Sequence, residues 1–591
     1  MTAPDQSAPV KRRLLGRKAE TWVLIFVALL PLAAIVRLVG DYGVNVPYGD
    51  EWSLLPLFAK CHDHQLTFAD LFRQHNEHRI FFPKLLFLAF ARWTHWNVQA
   101  EMFFSVLLAC GASAGIYFLL QRTVPGTSRQ RFLLWALINL LIFAPVQAEN
   151  WLWGFQLQVF IPNLCLIGCL VLLTSTLPEA VKFAGASLLT IVATFSFAGG
   201  LLLWPVIAFY FFLKSTRARW LIAWTAAFVF SMLIYFVGYK RQPVLGPEFG
   251  NPFDYLVYFV EFLGIALNRS SLSTGAAITG GLIGATAFLL YLIACWFFWK
   301  SPAASRRAAA PWLVLGAYVI CSAALAAHTR ISVGPQQALN SRYATISLNL
   351  YVGLIGLVAI AAQSARAGEL RPKVARAVAS LEPQVFAAIL TLSAVSFPAA
   401  IDHMEILRRL RLEGAAHLQF SQVINPTEKL PIDLMIGATL PAIAQNADLL
   451  DRLRLLDLPL RRSAVLRDAE DRAQRSTPEF GRTDGLMQKD GDLLEMHGWS
   501  FLPERGRPAP CVVLAFKSGE DWTAFALSDL RELRDDVAKE MKSRKYLASG
   551  WRAFIHRKLL PTEATRLSAW DFDPATGGVY KLPGDFILPA R

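Results

Sequence analysis

The sequence contains little charge and very few acids in its apolar part. Charged residues make up 17% of the 591 residues and hydrophobic residues 54%, and the mean hydropathy is +0.38. Between residues 102 and 368 there are only five acids: Glu149, Glu179, Glu248, Asp254 and Glu261. None of them falls inside a predicted membrane span, whereas proton- or sodium-coupled transporters use ionisable groups at mid-membrane depth. The scarcity of acids therefore argues against ion-coupled transport.

Other signals are absent as well. No basic face with interleaved aromatic residues occurs, so we expect no nucleic-acid partner despite the formal net charge of +14. The first apolar run is too long for a signal peptide and lacks a clear cleavage site, so we expect it to stay as an anchor. Five of the seven cysteines lie in predicted spans, where a small polarizable residue packs readily. The spacing of the other two, Cys61 and Cys511, gives no indication of a disulfide, although an oxidising compartment would allow one.

The apolar residues come in blocks, which is typical of a multi-pass membrane protein. A hydrocarbon core about 30 Å thick needs roughly 20 helical residues. About eleven segments supply them: 22–40, 101–120, 132–146, 159–176, 181–197, 200–213, 220–239, 278–299, 311–328, 344–363 and 385–401. We therefore predict a polytopic α-helical membrane protein of about eleven spans.

The loops between these segments alternate in basic character. Lys and Arg are concentrated in "KRRLLGRK", "RTVPGTSRQR", "KSTRAR", "KSPAASRR" and "ARAGELRPKVAR", while "VQAENWLWGFQ" and "SFAGG" carry none. The positive-inside rule then predicts a cytoplasmic amino terminus. With an odd number of spans, the chain after about Asp402 lies on the opposite side. Most of the positive charge is explained by anchoring against anionic lipid.

Two predicted domains follow. Residues 1–402 form the membrane domain, with outer loops at 41–100 and 240–276 whose apolar spacing and flanking aromatic residues suggest helices at the membrane interface. Residues 403–591 form an extracytoplasmic domain that is helical at first. From about residue 490 it alternates in short runs such as "PCVVLAF" and "WTAFALS", which predicts a small β-sandwich.

Polar residues gather in the outer loops, on one predicted membrane face. The candidate catalytic acids are Asp50, Glu51 and Glu149, and the candidate substrate-binding residues are His75, Glu77, His78, Arg79, Asn150, Trp153, Lys240, Arg330, Arg342 and Tyr343. Asp50 and Glu51 stand in "VPYGDEW", directly after the first span.

Each cluster also has a simpler interpretation. Asp50 would cap a helix beginning near Trp52, with Glu51 favouring the helix dipole. The pairs His62/His64 and His75/His78 have metal-site spacing, but no third well-spaced ligand accompanies them. Trp151 and Trp153 would be interfacial anchors, and Arg342 a snorkelling charge.

The combination resembles the GT-C superfamily of membrane glycosyltransferases. Members have many spans, a first outer loop with interfacial helices, an Asp/Glu motif just beyond the first span and often an outer carboxy-terminal domain. Asp50 and Glu51 occupy the motif position, and Glu149 matches the second outer-loop acid found in several branches. The terminal domain, with "GWSF", "RDDVAKEM" and "GWRAFI", resembles β-sandwich modules of bacterial surface-polysaccharide proteins. No WWD motif occurs, so protein glycosylation of the oligosaccharyltransferase kind is not supported.

The resemblance implies transfer of a sugar from a polyprenyl phosphate to an acceptor hydroxyl on the outer face of a bacterial inner membrane. Partners would be membrane lipid, the lipid-linked sugar and a glycan or glycolipid acceptor such as a polysaccharide or lipopolysaccharide. A carboxylate would act as base, with Asp50 as candidate. Arg342, Arg330, Lys240 and Arg79, or a divalent cation, would stabilise the departing phosphate. The alternatives are a flippase or transporter of lipid-linked saccharides and a non-enzymatic scaffold.

Overall fold

The computed structural model describes residues 8–240, 251–268, 273–424, 440–466, 480–489, 491–502, 505–528 and 530–588. The chain divides into two compact units. The first, called the membrane unit, comprises Met1–Gly43, Leu66–Ala89 and Gln99–Glu405, and the second comprises Val44–Gln65, Phe90–Val98 and Ile406–Arg591. The boundary at Glu405 lies close to the predicted one, but the first outer loop is shared between the two units.

The helices account for most of the chain. In order they are α1 (Ala8–Tyr42), α2 (Leu55–His62), α3 (Phe68–Phe72), α4 (Phe81–Thr94), α5 (Val98–Thr123), α6 (Ser128–Ile142), α7 (Ala148–Trp151), α8 (Leu157–Leu173), α9 (Glu179–Thr194), α10 (Leu203–Leu213), α11 (Ala218–Phe236), α12 (Pro252–Gly264), α13 (Thr274–Lys300), α14 (Ala303–Arg330), α15 (Ala344–Arg366), α16 (Pro372–Phe420), α17 (Leu440–Leu453) and α18 (Asp535–Glu540).

In the described part of the chain, nine helical segments are long and apolar enough to cross a membrane: Ala19–Tyr42, Val98–Thr123, Ser128–Trp151, Gly154–Leu173, Ala218–Phe236, Thr274–Lys300, Ala303–Val333, Ser341–Arg366 and Pro372–Phe420. The two remaining predicted spans coincide with the shorter helices α9 and α10. A helix satisfies its own backbone hydrogen bonds, which is why apolar blocks of this length adopt it in lipid. The prediction of a mostly helical protein with many apolar helices long enough to span a membrane is confirmed, and the number of spans stays a prediction.

The segment that contains α15 is the most enclosed of these, since 94% of its most apolar 18-residue stretch is buried. It packs along α14, and α12 packs along α13. A Cβ on Gly264 of α12 would lie 1.9 Å from the carbonyl oxygen of Gly280, and one on Gly284 1.8 Å from that of Val260. These small residues let the two backbones approach closely. The approach fixes α12, which carries Tyr258, against the spanning helices.

The first outer loop is helical, as predicted, and contains α2, α3 and α4. Phe68 is 68% exposed and Trp93 80% exposed, as expected of helices lying at an interface. In the second predicted outer loop the structure describes α12, whereas residues 241–250 and 269–272 lie outside the described ranges.

The second unit contains the predicted two-sheet β region. Its strands are β1 (Gly481–Gln488), β2 (Leu493–Ser500), β3 (Cys511–Ser518), β4 (Asp521–Leu527), β5 (Leu530–Glu532), β6 (Gly550–His556), β7 (Arg566–Asp573), β8 (Gly578–Lys581) and β9 (Phe586–Ile587). One sheet has the order β1-β2-β6-β5 and the other β4-β3-β7-β8, with β9 on β7. The pairings are antiparallel, with Leu494 opposite Ile555 and Val513 opposite Trp570.

Apolar residues cover both faces of the second sheet. One face packs on the first sheet through residues such as Leu514 and Trp551. The other face packs on Ala416 and Phe420, at the end of α16, and on Ile424 just beyond it. The last turns of a predicted membrane helix thus supply part of the core of the β-sandwich.

The two outer cysteines are free thiols. Cys61 is exposed, whereas Cys511 is buried in β3. A disulfide between them is therefore absent from this structure.

Candidate functional site

Glu149 lies in α7, directly after α6, and its carboxylate is held by the chain that leads into α15. Oε2 of Glu149 accepts a hydrogen bond from Ser341 Oγ at 3.0 Å and one from the Arg342 amide at 3.2 Å. The Glu149 amide in turn donates to Ser341 Oγ at 3.1 Å. Among the described residues no donor reaches Oε1. One carboxylate oxygen is fixed, and the other is left to accept a proton or a hydroxyl hydrogen bond.

Asn150 also connects α7 with the chain that leads into α15. Its Nδ2 donates to the Arg342 carbonyl at 2.9 Å and to Thr345 Oγ1 at 2.6 Å. Thr345 Oγ1 donates to Gln147 Oε1 at 2.6 Å. These side chains are buried, where hydrogen bonds are strengthened by the low local dielectric, although Asn150 Oδ1 itself has no donor among the described residues. Asn150 therefore positions Glu149 and Arg342 through the backbone.

Arg342 is half-buried and lies just before α15, in the short 3-10 helix Ser341–Tyr343. Its guanidinium carbon lies 5.5 Å from the ring centroid of Tyr343. Its Nε is buried and has no acceptor among the described residues. A buried guanidinium donor without an acceptor costs free energy unless something else supplies one. The Arg342 side chain is hydrogen-bonded to Tyr343 and lies within electrostatic range of Glu149, and its Nε remains a donor to which an anion could bind.

Aromatic side chains surround this arginine. The Tyr343 ring packs 5.1 Å from that of Phe262 and 6.4 Å from that of Tyr258. Tyr258 is buried, and burial raises the pKa of its hydroxyl, while the charges of Arg342 and Arg330 oppose that rise. Tyr258 thus lies within electrostatic range of both arginines, which come from different helices.

Glu77 and Arg330 form a second pair of opposite charges. Arg330 Nη2 lies 2.6 Å from Glu77 Oε1, and each side chain is about one third exposed. Glu77 stands in a tight turn in which His75 and His78 exchange two backbone hydrogen bonds of 2.8 Å. Its carbonyl accepts from the hydroxyls of Tyr235 and Tyr239 at 3.2 Å. The sequence "HNEHR" is therefore built to present the Glu77 carboxylate to the end of α14.

The guanidinium of Arg79 is hydrogen-bonded to backbone carbonyls of the protein. It is 3% exposed, and it donates to the carbonyls of Tyr235 and Val237 and, at 2.6 Å, to that of Phe72. Burial lowers the pKa of this guanidinium. The contacts tie the first outer loop to the end of α11. They give Arg79 a structural role, and its contact with substrate stays a prediction.

Lys84 makes a similar tie. Its Nζ donates to the carbonyls of Asp70, Leu71 and Arg73 at 3.0, 3.2 and 2.7 Å. Burial and the nearby Arg73 lower the pKa of Lys84 to about 8. A cation at the last carbonyls of a helix stabilises its carboxy-terminal end, so Lys84 holds α3 in place.

The remaining predicted residues lie around the same outer loops. The His75 ring packs 5.2 Å from Phe155 and the His78 ring 4.6 Å from Phe197. Trp153 is 7% exposed and stacks on Phe155, so within the membrane unit it is buried rather than placed as an exposed anchor. Lys240 is exposed, and its backbone exchanges hydrogen bonds of 2.9 and 2.8 Å with the Gln74 side chain.

Asp50 and Glu51 belong to the second unit. They lie in a short 3-10 helix, Gly49–Leu54, whose N-cap is Tyr48. The interpretation of Asp50 as the cap is therefore wrong. Oε2 of Glu51 accepts from the Tyr48 amide at 2.7 Å, and Glu51 is fully buried. Asp50 remains partly exposed, which leaves its carboxylate the more accessible of the two.

Arg411 lies against this segment within the second unit. Its guanidinium carbon is 3.2 Å from the ring centroid of Tyr48, and its side chain is buried. Trp52 packs edge-on against Trp96 at 6.4 Å. The "VPYGDEW" motif is thus a folded element held by aromatic and cationic contacts.

Among the described residues, no group of three or more His, Cys, Asp or Glu side chains is arranged to hold a metal ion. The paired histidines of the first loop are accordingly not joined by a third ligand within that part of the chain.

Compared with known protein families, curated proteins and solved structures, the chain matches none. The site must therefore be interpreted from its own geometry.

Sequence reasoning missed several members of the cluster. Ser341 and Thr345 gave no signal, because a hydroxyl near a span is common. Tyr258 lies in a loop whose fold was not evident. His403 stands in α16 within electrostatic range of Glu149, and its Nδ1 is buried without a hydrogen-bond partner among the described residues. Its position beyond the last predicted span, 385–401, was the one available indication.

Proposed function

We propose that this protein is a GT-C-type glycosyltransferase that moves a sugar from a polyprenyl-phosphate donor to an acceptor hydroxyl on the outer face of the membrane. The acceptor would be a cell-surface polysaccharide, a glycolipid or lipopolysaccharide, and the membrane a bacterial inner membrane. The observation that carries the proposal is the pairing of Glu149 with Arg342 at the ends of two apolar helices. The Glu149 carboxylate accepts a hydrogen bond from the Arg342 backbone amide and lies within electrostatic range of the Arg342 guanidinium. The buried Nε of that guanidinium has no acceptor among the described residues.

The location of this pair suits a lipid-linked donor. Glu149 follows α6 and Arg342 precedes α15, so both lie at helix ends opposite Arg129, at the start of α6, and Arg366, at the end of α15. By the positive-inside rule the ends with Arg129 and Arg366 are cytoplasmic. The lipid tail of the donor would stay in hydrocarbon while its phosphate and sugar meet the site at the surface.

The reaction needs a group that neutralises the leaving phosphate. As the bond between the anomeric carbon and the phosphate oxygen breaks, its electron pair stays on polyprenyl phosphate. Positive charge close to that oxygen stabilises the transition state. Arg342 is the first candidate, because its buried Nε has no acceptor among the described residues. Arg330 is the second, and its pairing with Glu77 holds it in place.

The reaction also needs a base. The acceptor oxygen bonds to the anomeric carbon while a carboxylate takes its proton. Asp50 is the base that the family resemblance implies. Glu149 is the second candidate for this role, since its Oε1 accepts no hydrogen bond from a described residue while Oε2 is held by Ser341 and the Arg342 amide. The neutral amide variants Asp50→Asn and Glu149→Gln keep the size of each side chain and remove the ability to take a proton.

The test compares these variants with a matched acid elsewhere. Cells lacking the protein are complemented with wild type, Asp50→Asn, Glu149→Gln or Glu369→Gln, and the masses of their surface glycans and glycolipids are compared. Glu369 is an exposed acid after α15, on the side predicted to be cytoplasmic. We expect wild type and Glu369→Gln to restore one sugar mass that the deletion removes. The variant that lacks the base should lose about a hundredfold or more in transfer rate with purified protein and a lipid-linked sugar.

The outcomes separate the alternatives. A larger loss in Asp50→Asn than in Glu149→Gln supports the assignment above, and the reverse order moves the base to Glu149. Full activity in both variants would refute the site. If purified protein binds or moves lipid-linked saccharide across vesicles without any glycosyl transfer, the protein is a flippase and the proposal is overturned.

A further inference from the structure

A groove of about 300 Å³ lies between α10, α13 and α14, at the ends of these helices that are predicted to be cytoplasmic. Its walls include Leu213, Trp296, Trp299 and Leu313, and one basic side chain, Arg306. The groove belongs to the membrane unit. It is lined almost entirely by apolar side chains, so a free polar solute has little to bind there.

The rim of the groove has the character of a membrane interface. Trp296 is 66% exposed and Trp299 55% exposed, and both lie in the last turns of α13. Phe212 is 61% exposed, and its ring stacks on Trp299 at 6.2 Å. Indole side chains concentrate at the level of lipid headgroups. The open side of the groove therefore faces lipid at headgroup depth.

Basic residues surround this end of the groove. Lys214 follows Leu213 directly, and Arg307 follows Arg306. Burial lowers the pKa of Lys214, and the nearby charges of Lys182 and Arg307 lower it further, while the charge of Glu179 opposes this shift. Like charges that lie this close to one another repel, which costs free energy unless an anion joins them.

The protein supplies little negative charge to balance them. Glu179 pairs with Lys182 at 2.9 Å. Within the described ranges, the side chains of Lys214, Arg306 and Arg307 form no ion pair. The Lys214 ammonium instead lies 5.7 Å from the ring centroid of Tyr210. An apolar groove with this surplus of positive charge is complementary to a ligand with a long apolar tail and an anionic head.

We propose that the groove binds one anionic phospholipid of the surrounding bilayer. An acyl chain lies between α10, α13 and α14, and the phosphate contacts Arg306 and Lys214. The cytoplasmic leaflet is the anionic one, which agrees with the predicted orientation of these helix ends. By the predicted topology the groove lies on the cytoplasmic side of the membrane, and Glu149 and Arg342 lie on the outer side. The groove is therefore distinct from the proposed transfer site.

The test measures lipid binding directly. Purified full-length protein in detergent is titrated with phosphatidylglycerol or phosphatidylcholine of the same chain length, and bound lipid is counted by native mass spectrometry. We expect phosphatidylglycerol to bind more tightly, and increasingly so at lower salt. Arg306→Gln and Lys214→Gln should each weaken phosphatidylglycerol binding about fivefold, with little effect on phosphatidylcholine.

Two further variants act as controls. Arg306→Lys keeps the charge and should restore most of the binding. Arg376→Gln removes an exposed basic residue of α16, on the same predicted side, and should bind as wild type does. Folding of each variant is checked by its melting temperature without added lipid.

Several results would overturn the proposal. Equal affinity for the two lipids would show that the headgroup charge is not recognised. Equal weakening by Arg376→Gln would make the effect one of overall charge. Binding of glycerol phosphate as tight as that of the phospholipid would assign the site to a free phosphate. Stronger binding of polyprenyl phosphate, lost in Arg306→Gln, would make it a second donor site.

Discussion

Glu261 allows a quantitative test of how α12 is buried. It is 3% exposed, and its Oε2 accepts no hydrogen bond from a described residue. Burial raises the pKa of this carboxyl from 4.5 to about 7. Below pH 4.5 the group is protonated in both the folded and the unfolded chain, so burial of a charge costs nothing. As the pH rises to about 7, only the unfolded chain loses the proton, and the free energy of unfolding falls.

The size of the effect follows from the same values. The difference between 4.5 and about 7 corresponds to about 3 kcal/mol of destabilisation above pH 7. Glu261→Gln removes the titration while keeping the shape of the side chain. The melting temperature of Glu261→Gln minus that of wild type should therefore be a few degrees larger at pH 8 than at pH 5. Any cost of burying the amide is the same at both pH values and drops out of the comparison.

Tryptophan fluorescence during heating of the protein in detergent measures this difference. The matched control is Glu369→Gln, because Glu369 is exposed, and its difference from wild type should not change with pH. If the difference between Glu261→Gln and wild type is the same at pH 5 and pH 8, the carboxyl is not buried as described. The packing of α12 would then need revision.

Three further predictions concern other described residues. Arg79→Ala should lower the free energy of unfolding by at least about 2 kcal/mol, because the carbonyls of Phe72, Tyr235 and Val237 lose the donor that the buried Arg79 supplies. The same fluorescence assay measures the loss. Arg79→Lys should recover only part of it, and an unchanged stability would contradict the structural role. In the proposed transfer reaction, Arg342→Ala should abolish use of a lipid-linked donor while Arg342→Lys keeps some, because lysine retains the charge but not the bidentate fork. Equal rates in both variants and wild type would make Arg342 a snorkelling residue. A membrane-impermeant maleimide should label Cys61 in intact cells and Cys511 only after denaturation. Mass spectrometry of Cys→Ser variants measures the labelling. Protection of Cys61 would contradict either its exposure or its predicted position on the outer side of the membrane.

The membrane helices were predictable because their cause is local. A run of apolar residues such as 278–299 must become a helix in lipid whatever its neighbours do. The two short helices α9 and α10 show the limit of this reasoning, since length alone does not decide whether they cross the membrane. The close contact of α12 with α13 was not predictable either. It depends on which glycines face each other, and the spacing of Gly280 and Gly284 does not name the partner helix.

The sequence could predict on which side of the membrane the candidate site lies, but not how its side chains contact one another. Glu149 and Arg342 are far apart in sequence, and topology places them on the same predicted side. The hydrogen bonds through Ser341 depend on the register between two helix ends, which no local pattern encodes. The sequence also could not show that Arg330 forms an ion pair with Glu77, whereas the Arg79 guanidinium donates its hydrogen bonds to backbone carbonyls.

The "VPYGDEW" motif shows a third limit. Its position after the first span suggested that it belonged to the membrane domain. In the structure Val44–Gln65 belongs to the second unit, and its Tyr48 ring packs against the guanidinium of Arg411, far along the chain. Membership of a unit is decided by burial against residues hundreds of positions away, and spacing along the chain carries little information about that.

This assembly has a consequence for biosynthesis. Asn45 Nδ2 donates to the Leu456 carbonyl at 3.3 Å, across 411 positions of sequence, and the Leu456 amide donates to the His95 carbonyl at 2.7 Å. The segment around Trp52 and Trp96 thus leaves the ribosome long before its partners exist. Pairing over such separations is slow, and exposed apolar surface is prone to aggregation. A nascent chain must therefore keep this segment protected until its final third has been delivered, and a chain truncated after α16 would display it permanently to proteases and chaperones.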